Sequence, residues 1–273
     1  MPRLKPLIRS IMPPILWRAS SYFYHRLSHR LSPSTEVPWD ADDPRLVEVP
    51  EDDPSTIRYL VGDPVFSVPP DRLRYHGGIP YVGERHPFLQ YYRGGESALR
   101  EYYERHQPRN VLELHFLETP PEREVPDVWA PWEEVPAELF RRGEGGLGSE
   151  HGAQAFGPVS EEKLQLEKRR LDEVLNSIGT TGFRPALGGF PRGYFLVDAD
   201  GEWVVAVREG FHRVAAMVHL GFRRIPIQFQ PRYPRVVLRA DCSHWPMVAQ
   251  GRLTQEEALG VFDRYFDPEA RGE

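Results

Sequence analysis

The stretch Val204-Val205-Ala206-Val207-Arg208-Glu209-Gly210-Phe211-His212-Arg213-Val214-Ala215-Ala216-Met217-Val218-His219-Leu220-Gly221 decides how this chain is read. Consecutive β-formers behind Trp203 predict a strand. Gly210 breaks it, and a short helix follows that should stop at Gly221, where a residue free to take positive φ is expected. A glycine at a strand-to-helix turn lets the backbone approach a ligand closely. The first N–H groups of the helix have no partners within it, so its start attracts anions. His212 and Arg213 fall in that first turn and add side-chain donors, with arginine a two-pronged fork suited to phosphate oxygens. The expectation is a phosphate held at this turn, that of a nucleotide.

Outward from there, Asp198-Ala199-Asp200-Gly201 should close a hairpin between a strand ending at Val197 and Glu202–Val207. Asp198 and Asp200 are read as turn residues rather than cation ligands. Ile225-Pro226-Ile227-Gln228-Phe229 returns as a short strand, and Val236–Arg239 as another. Upstream, Ser160 can cap a helix with Glu161 and Glu162 in its first turn. Leu164, Leu171, Val174, Leu175 and Ile178 form its apolar stripe, and it is expected to end before Gly179. Thr254 and Glu257 have capping-box spacing for a C-terminal helix lined by Leu259, Phe262, Tyr265 and Phe266. Asp241, Cys242 and His244 match no common zinc spacing, so a loop packed under Trp245 is expected and no metal site is assigned.

The first half reads differently. Many of the 28 prolines are there, which predicts irregular connections. Residues 1–32 form a basic amphipathic segment and 33–61 a Pro-rich, acidic linker. Pro64–Val68 should be a strand, followed by a turn at 69–71. An insertion at 77–158 should hold a helix from Ser97 to His106, a strand-like Val111–Leu117 and a long polar loop, an elaboration or a binding lid. Within it Glu84, Arg85 and His86 are candidate substrate-side groups, with an exposed loop as the plainer reading.

Charge narrows the function classes. The net charge is −6, yet residues 1–35 carry Arg3, Lys5, Arg9, Arg18, Arg26 and Arg30 and no acid, which leaves 28 basic against 40 acidic residues, or −12, for the remainder. So acidic a body is a poor non-specific nucleic-acid binder, and no specific DNA binding is expected. Residues 184–240 nevertheless hold nine arginines against Asp198, Asp200, Glu202 and Glu209, a local +5, as a small anionic ligand would need. The single Cys242 excludes an internal disulfide framework and fits a reducing, cytoplasmic setting. The basic amphipathic residues 1–31 can lie on an anionic membrane surface, which would make the protein peripheral at the inner face, or dock on a partner or on the acidic body.

With these residues in view, segment 164–229 resembles the ParB/sulfiredoxin superfamily. The resemblance rests on Ser177-Ile178, Gly182 and Pro185, the Tyr194–Val207 hairpin, the box Gly210-Phe211-His212-Arg213, Ala215-Ala216, Gly221 and Ile225-Pro226, with Pro64–Arg74 as the opening strand and turn. It covers about a third of the chain. It implies an α+β fold: a small mixed sheet with helices, here a domain at 62–240 interrupted by the insertion 77–158, with N- and C-terminal helical extensions, the latter at 241–273. It also implies a nucleoside triphosphate at the box, ATP or CTP with magnesium. The sulfiredoxin pattern places a phosphate-contacting basic residue eight positions before the isoleucine of the Ser-Ile step, which is Arg170. Phe211 stands where sulfiredoxins have their reactive cysteine, so that redox chemistry is excluded there. The two-helix DNA reader that follows the box domain in ParB proteins has no counterpart in the last forty or so residues.

Phosphate-binding residues are therefore expected at Arg170, Gly210, His212 and Arg213, with Glu209 as the catalytic base or magnesium contact, or else in a salt bridge to an arginine such as Arg208. Two functions stay open. One is a phosphotransferase or nucleotide hydrolase acting on a small-molecule or protein acceptor. The other is a non-catalytic binding or scaffold module at a membrane-associated assembly.

Overall fold

Strands β4 (Arg192–Val197) and β5 (Trp203–Glu209) are almost wholly buried, because both faces of their sheet are covered. Phe195, Val205 and Val207 point into one apolar cluster, while Tyr194, Leu196, Val204 and Ala206 point into a second. Alternation along the pleat thus feeds two cores from one hairpin. The hairpin turn forms as expected: Asp198 Oδ1 accepts from the amides of Asp200 and Glu202, both at 2.9 Å.

The computed structural model describes residues 43, 46–51, 53–120, 123–134 and 145–267. Among them lies a seven-stranded mixed sheet in an α+β architecture. Its main path runs β1 (Leu46–Val47), β2 (Val65–Val68), β6 (Ile225–Phe229), β4, β5, β3 (Leu73–Arg74), and β7 (Val236–Leu238) also pairs with β4. The edge of β4 is shared: Arg192 and Gly193 lie parallel to β6, Phe195 to Val197 parallel to β7. β2 and β6 are antiparallel, with Phe66 opposite Ile227.

The helices in chain order are α1 (Pro87–Gly94), α2 (Glu96–Arg105), α3 (Val111–Leu114), α4 (Glu161–Thr181), α5 (Phe211–His219), α6 (Pro246–Ala249) and α7 (Gln255–Asp263). On one face of the sheet, Leu164, Leu171 and Ile178 of α4 and Val214 to Met217 of α5 complete the first cluster. On the other, Trp132, Trp245, Phe262 and Tyr265 complete the second. The capping box of Thr254 and Glu257 at α7 is present. Among the described residues no helix is long and apolar enough to cross a membrane, and no cluster of three or more His, Cys, Asp or Glu residues is placed to hold a metal.

Several expectations are corrected. Val111–Leu114 is helical, not a strand, because Asn110 Oδ1 accepts from the amides of Leu112 and Glu113 and so caps a helical turn. Helix α4 does not stop before Gly179. It runs to Thr181 and ends at Gly182, whose φ of 73° and amide bond to the Ile178 carbonyl close the last turn. The second half of the expected linker belongs to the fold: Leu46 and Val47 pair with β2, and Ile57 is fully buried. The insertion is not an outlying lid. Tyr81, Phe88, Leu99 and Trp129 are in the first cluster, and Val111, Leu112 and Trp132 in the second. The C-terminal extension likewise supplies core through Trp245, Leu253 and Phe262. The basic segment 1–32 lies outside the described residues.

Candidate functional site

The turn from β5 into α5 opens onto a cavity of about 510 Å³. Gly210 caps α5 with φ 83° and ψ 26°, and among the described residues no side chain makes a cap hydrogen bond to the first amides of the helix. A Cβ at Gly210 would lie 2.7 Å from Arg213 Nη2 and 3.0 Å from the Pro191 Cα. The positive φ and this crowding both require glycine.

All five residues singled out in the sequence line this one cavity: Glu209 at the end of β5, Gly210 at the cap, His212 and Arg213 in the first turn, and Arg170 from α4. They do not all face it as unengaged groups. Arg213 is committed to the loop before β4, where Nη1 donates to the Gly189 carbonyl at 2.7 Å and also to that of Gly188. Burial lowers its pKa, partly offset by Glu209. The exposed Glu209 accepts from Gln230 Nε2 at 3.1 Å. The salt bridge to Arg208 considered from the sequence goes elsewhere, since Arg208 pairs with Glu133.

The organising group, Glu167, went unrecognised in the sequence. Its carboxylate is fully buried and meets three cationic or ionisable side chains: Lys163 Nζ at 2.9 Å, Arg170 Nη1 at 3.0 Å and His212 Nε2 at 2.8 Å. Burial alone would raise its pKa. The hydrogen bond and charge of His212, with the charges of Lys163 and Arg170, overcome this and hold it at about 2. Glu167 thus ties α4 to the start of α5 and sets where Arg170 and His212 stand. Gln154 of the insertion reaches the same His212 nitrogen at 3.1 Å. A signal for Glu167 existed: it fills the vacant position between Leu164 and Leu171 on the buried stripe of α4, where a charge demands partners.

Behind the cavity lies a second buried polar network. Arg208, which lines the cavity, pairs with Glu133 and donates to Tyr194 Oη at 2.7 Å. Tyr194 donates to Glu133 Oε1 at 2.5 Å, and Trp132 Nε1 donates to Tyr194 Oη at 2.8 Å. His76 Nδ1 accepts from Arg208 Nη1 at 3.0 Å, and its ring lies 4.2 Å from that of Trp129. Both rings also line the cavity, one wall of which is apolar and includes Val174, Ile178, Phe183 and Leu187. A cavity that combines an uncapped helix start, several guanidinium groups, a single lining carboxylate and an apolar wall is suited to an anion with an organic body.

Of the expected substrate-side cluster, His86 is fully buried and caps α1 by accepting from the Phe88 amide through Nδ1 at 3.3 Å, while Glu84 and Arg85 line a different cavity. No family model, no curated protein and no solved structure matches this chain.

Proposed function

We propose that the cavity at the start of α5 binds the phosphates of a nucleoside triphosphate, ATP or CTP, and that the protein is a phosphotransferase or nucleotide hydrolase of ParB/sulfiredoxin-like fold. One observation carries this: Arg170, from a distant helix, converges with His212 and Arg213 on the uncapped helix start at Gly210. The likeness in fold is supported by the chain order of hairpin, glycine turn, helix and Ile-Pro strand within one mixed sheet.

In this reading the amides of Phe211 and His212 with Arg170 hold phosphate oxygens, and the apolar wall takes the base. Arg213 shapes the rim by holding the 188–189 loop. Magnesium would be held from the protein side by Glu209, the one carboxylate lining the cavity, and would neutralise charge on the transferring group. As the alternative to that contact, Glu209 takes the proton of the acceptor hydroxyl or water. The acceptor oxygen bonds to the terminal phosphorus, the bond to the bridging oxygen breaks, and the nucleoside diphosphate leaves with the electron pair.

The engagement of Glu209 with Gln230 favours a second reading, a non-catalytic nucleotide-binding module serving as a scaffold. A thermal-shift series with ATP, CTP and GTP plus magnesium tests the binding step. Ligand at a hundredfold its Kd should stabilise by about 2.7 kcal/mol, and Arg170→Ala or His212→Ala should remove that gain. No stabilisation by any nucleotide overturns the proposal. Stabilisation without nucleotide consumption selects the scaffold reading.

A further inference from the structure

A second and larger cavity, about 720 Å³, is built by the insertion and closed by Arg264 from the C-terminal region. Its floor is the turn at Gly77 and Gly78, where a Cβ would come within 2.4 Å of the Leu114 carbonyl oxygen and 2.6 Å of the Arg264 carbonyl oxygen, respectively. It backs onto the first cavity, since His76 lines one and Gly77 the other.

Phe116 is the unusual residue here. It has φ 59°, the only positive φ at a non-glycine among the described residues, yet its side chain is no core anchor, being 46% exposed. Strain of this kind persists where the surroundings enforce it, and it gathers at ligand sites. Here Arg264 Nη2 donates to the Phe116 carbonyl at 3.3 Å, and the Phe116 amide donates to the Glu113 carbonyl at 3.0 Å. The ring is stacked on that of His106, 4.6 Å between centroids and 22° between planes. His106 is buried and neutral, its pKa lowered to about 4 by burial, and its Nε2 has no hydrogen-bond partner among the described residues. A buried polar atom without a partner is costly unless something satisfies it.

Around this aromatic platform stand Arg85, Arg93, Arg105 and Arg264, against Glu84 and Glu101. Glu101 is neutralised by Arg105 at 2.6 Å. Arg93 is steadied by one bond to the Gly83 carbonyl at 2.9 Å. A guanidinium has five donors, so a single anchoring bond leaves capacity for a ligand. An excess of cations in so acidic a protein, beside an exposed ring, describes both halves of a ligand.

We infer that this second cavity binds a small organic anion, a carboxylate or phosphate monoester carried on a flat unsaturated ring, with the ring against Phe116 and the oxyanion among Arg93, Arg105 and Arg264. The site is independent of the nucleotide proposed for the first cavity.

Isothermal titration of the full chain with 1-naphthyl phosphate and 1-naphthoate tests it, with 1-naphthol and inorganic phosphate as the uncharged and ringless counterparts. At least one naphthyl anion should bind, about tenfold or more tighter than either counterpart, a difference of ~1.4 kcal/mol. Phe116→Gly suits the left-handed backbone and should leave the melting temperature no lower while weakening binding about fivefold or more. Arg93→Gln with Arg105→Gln should weaken it about tenfold or more, and His212→Ala should leave it unchanged. The inference is overturned if neither anion binds, if 1-naphthol binds equally well, or if binding survives both sets of substitutions or is lost through His212→Ala.

Discussion

Mild acid should unfold this protein before its carboxylates titrate. His76, His86, His106 and His115 are all buried. Burial is the largest cause in each case and makes their charged forms unfavourable, to a pKa of about 3 for His86 and His115, about 4 for His106, and well below the ordinary value for His76. Arg208 reinforces this at His76 and His115, and His212 at His86. In the unfolded chain each returns to about 6.5. Below that pH the unfolded state binds protons that the folded state refuses, so stability rises with pH and is lost as pH falls from about 6.5 toward about 4. Between pH 7.5 and 5.5 each histidine costs a little over about 1 kcal/mol, or about 5 kcal/mol for the four. That rivals the whole stability of a marginal domain, about 5–15 kcal/mol. Urea unfolding followed by tryptophan fluorescence at pH 7.5, 6.5 and 5.5, at fixed ionic strength, measures it directly. Calorimetry in buffers of different ionisation enthalpy should count about four protons taken up on unfolding at pH 5.5. A stability change below about 2 kcal/mol over this range would refute the reasoning, because it would mean that these imidazoles are hydrated or charged in the folded state. Glu167 does not confuse the result, since a carboxylate held at about 2 acts only below its unfolded value of about 4.3.

Two substitutions probe the machinery around the first cavity. Glu133→Gln leaves the buried Arg208 guanidinium without its counter-charge and should cost about 3–5 kcal/mol in chemical denaturation, because an uncompensated buried charge is the expensive outcome. Gly210→Ala places a Cβ against Arg213 and Pro191 at φ 83° and should cost about 1–2 kcal/mol. It should also abolish any nucleotide-induced thermal shift, whereas Gly201→Ala, at a hairpin turn with nothing within 4 Å of its Cβ, should leave that shift intact.

Much of the frame could be read from residue order. The hairpin at 198–201, the strand-to-helix break at Gly210, the Ser160 cap and the Thr254–Glu257 box are local devices, whose chemistry lies within four residues, and so they stand where sequence puts them. Convergence of Arg170 with the Gly210–Arg213 turn was reached through the family resemblance, since nothing local links positions forty residues apart. Errors fell where a local signal was ambiguous. Leu112 to Phe116 alternates apolar and polar residues as a strand does, but the Asn110 side chain captures the local amides, and α4 runs through Gly179 to Gly182, whose positive φ closes it.

What the sequence by itself determined is the set of backbone turns and the presence of an anion-seeking helix start, because these follow from φ preferences and unpaired amides. Only the tertiary structure decided which charges meet. Glu167 and Glu133 gain their roles from partners on other elements, and the insertion became wall and core rather than lid. A buried charge cannot choose its partners until burial removes the water that would otherwise serve all of them equally.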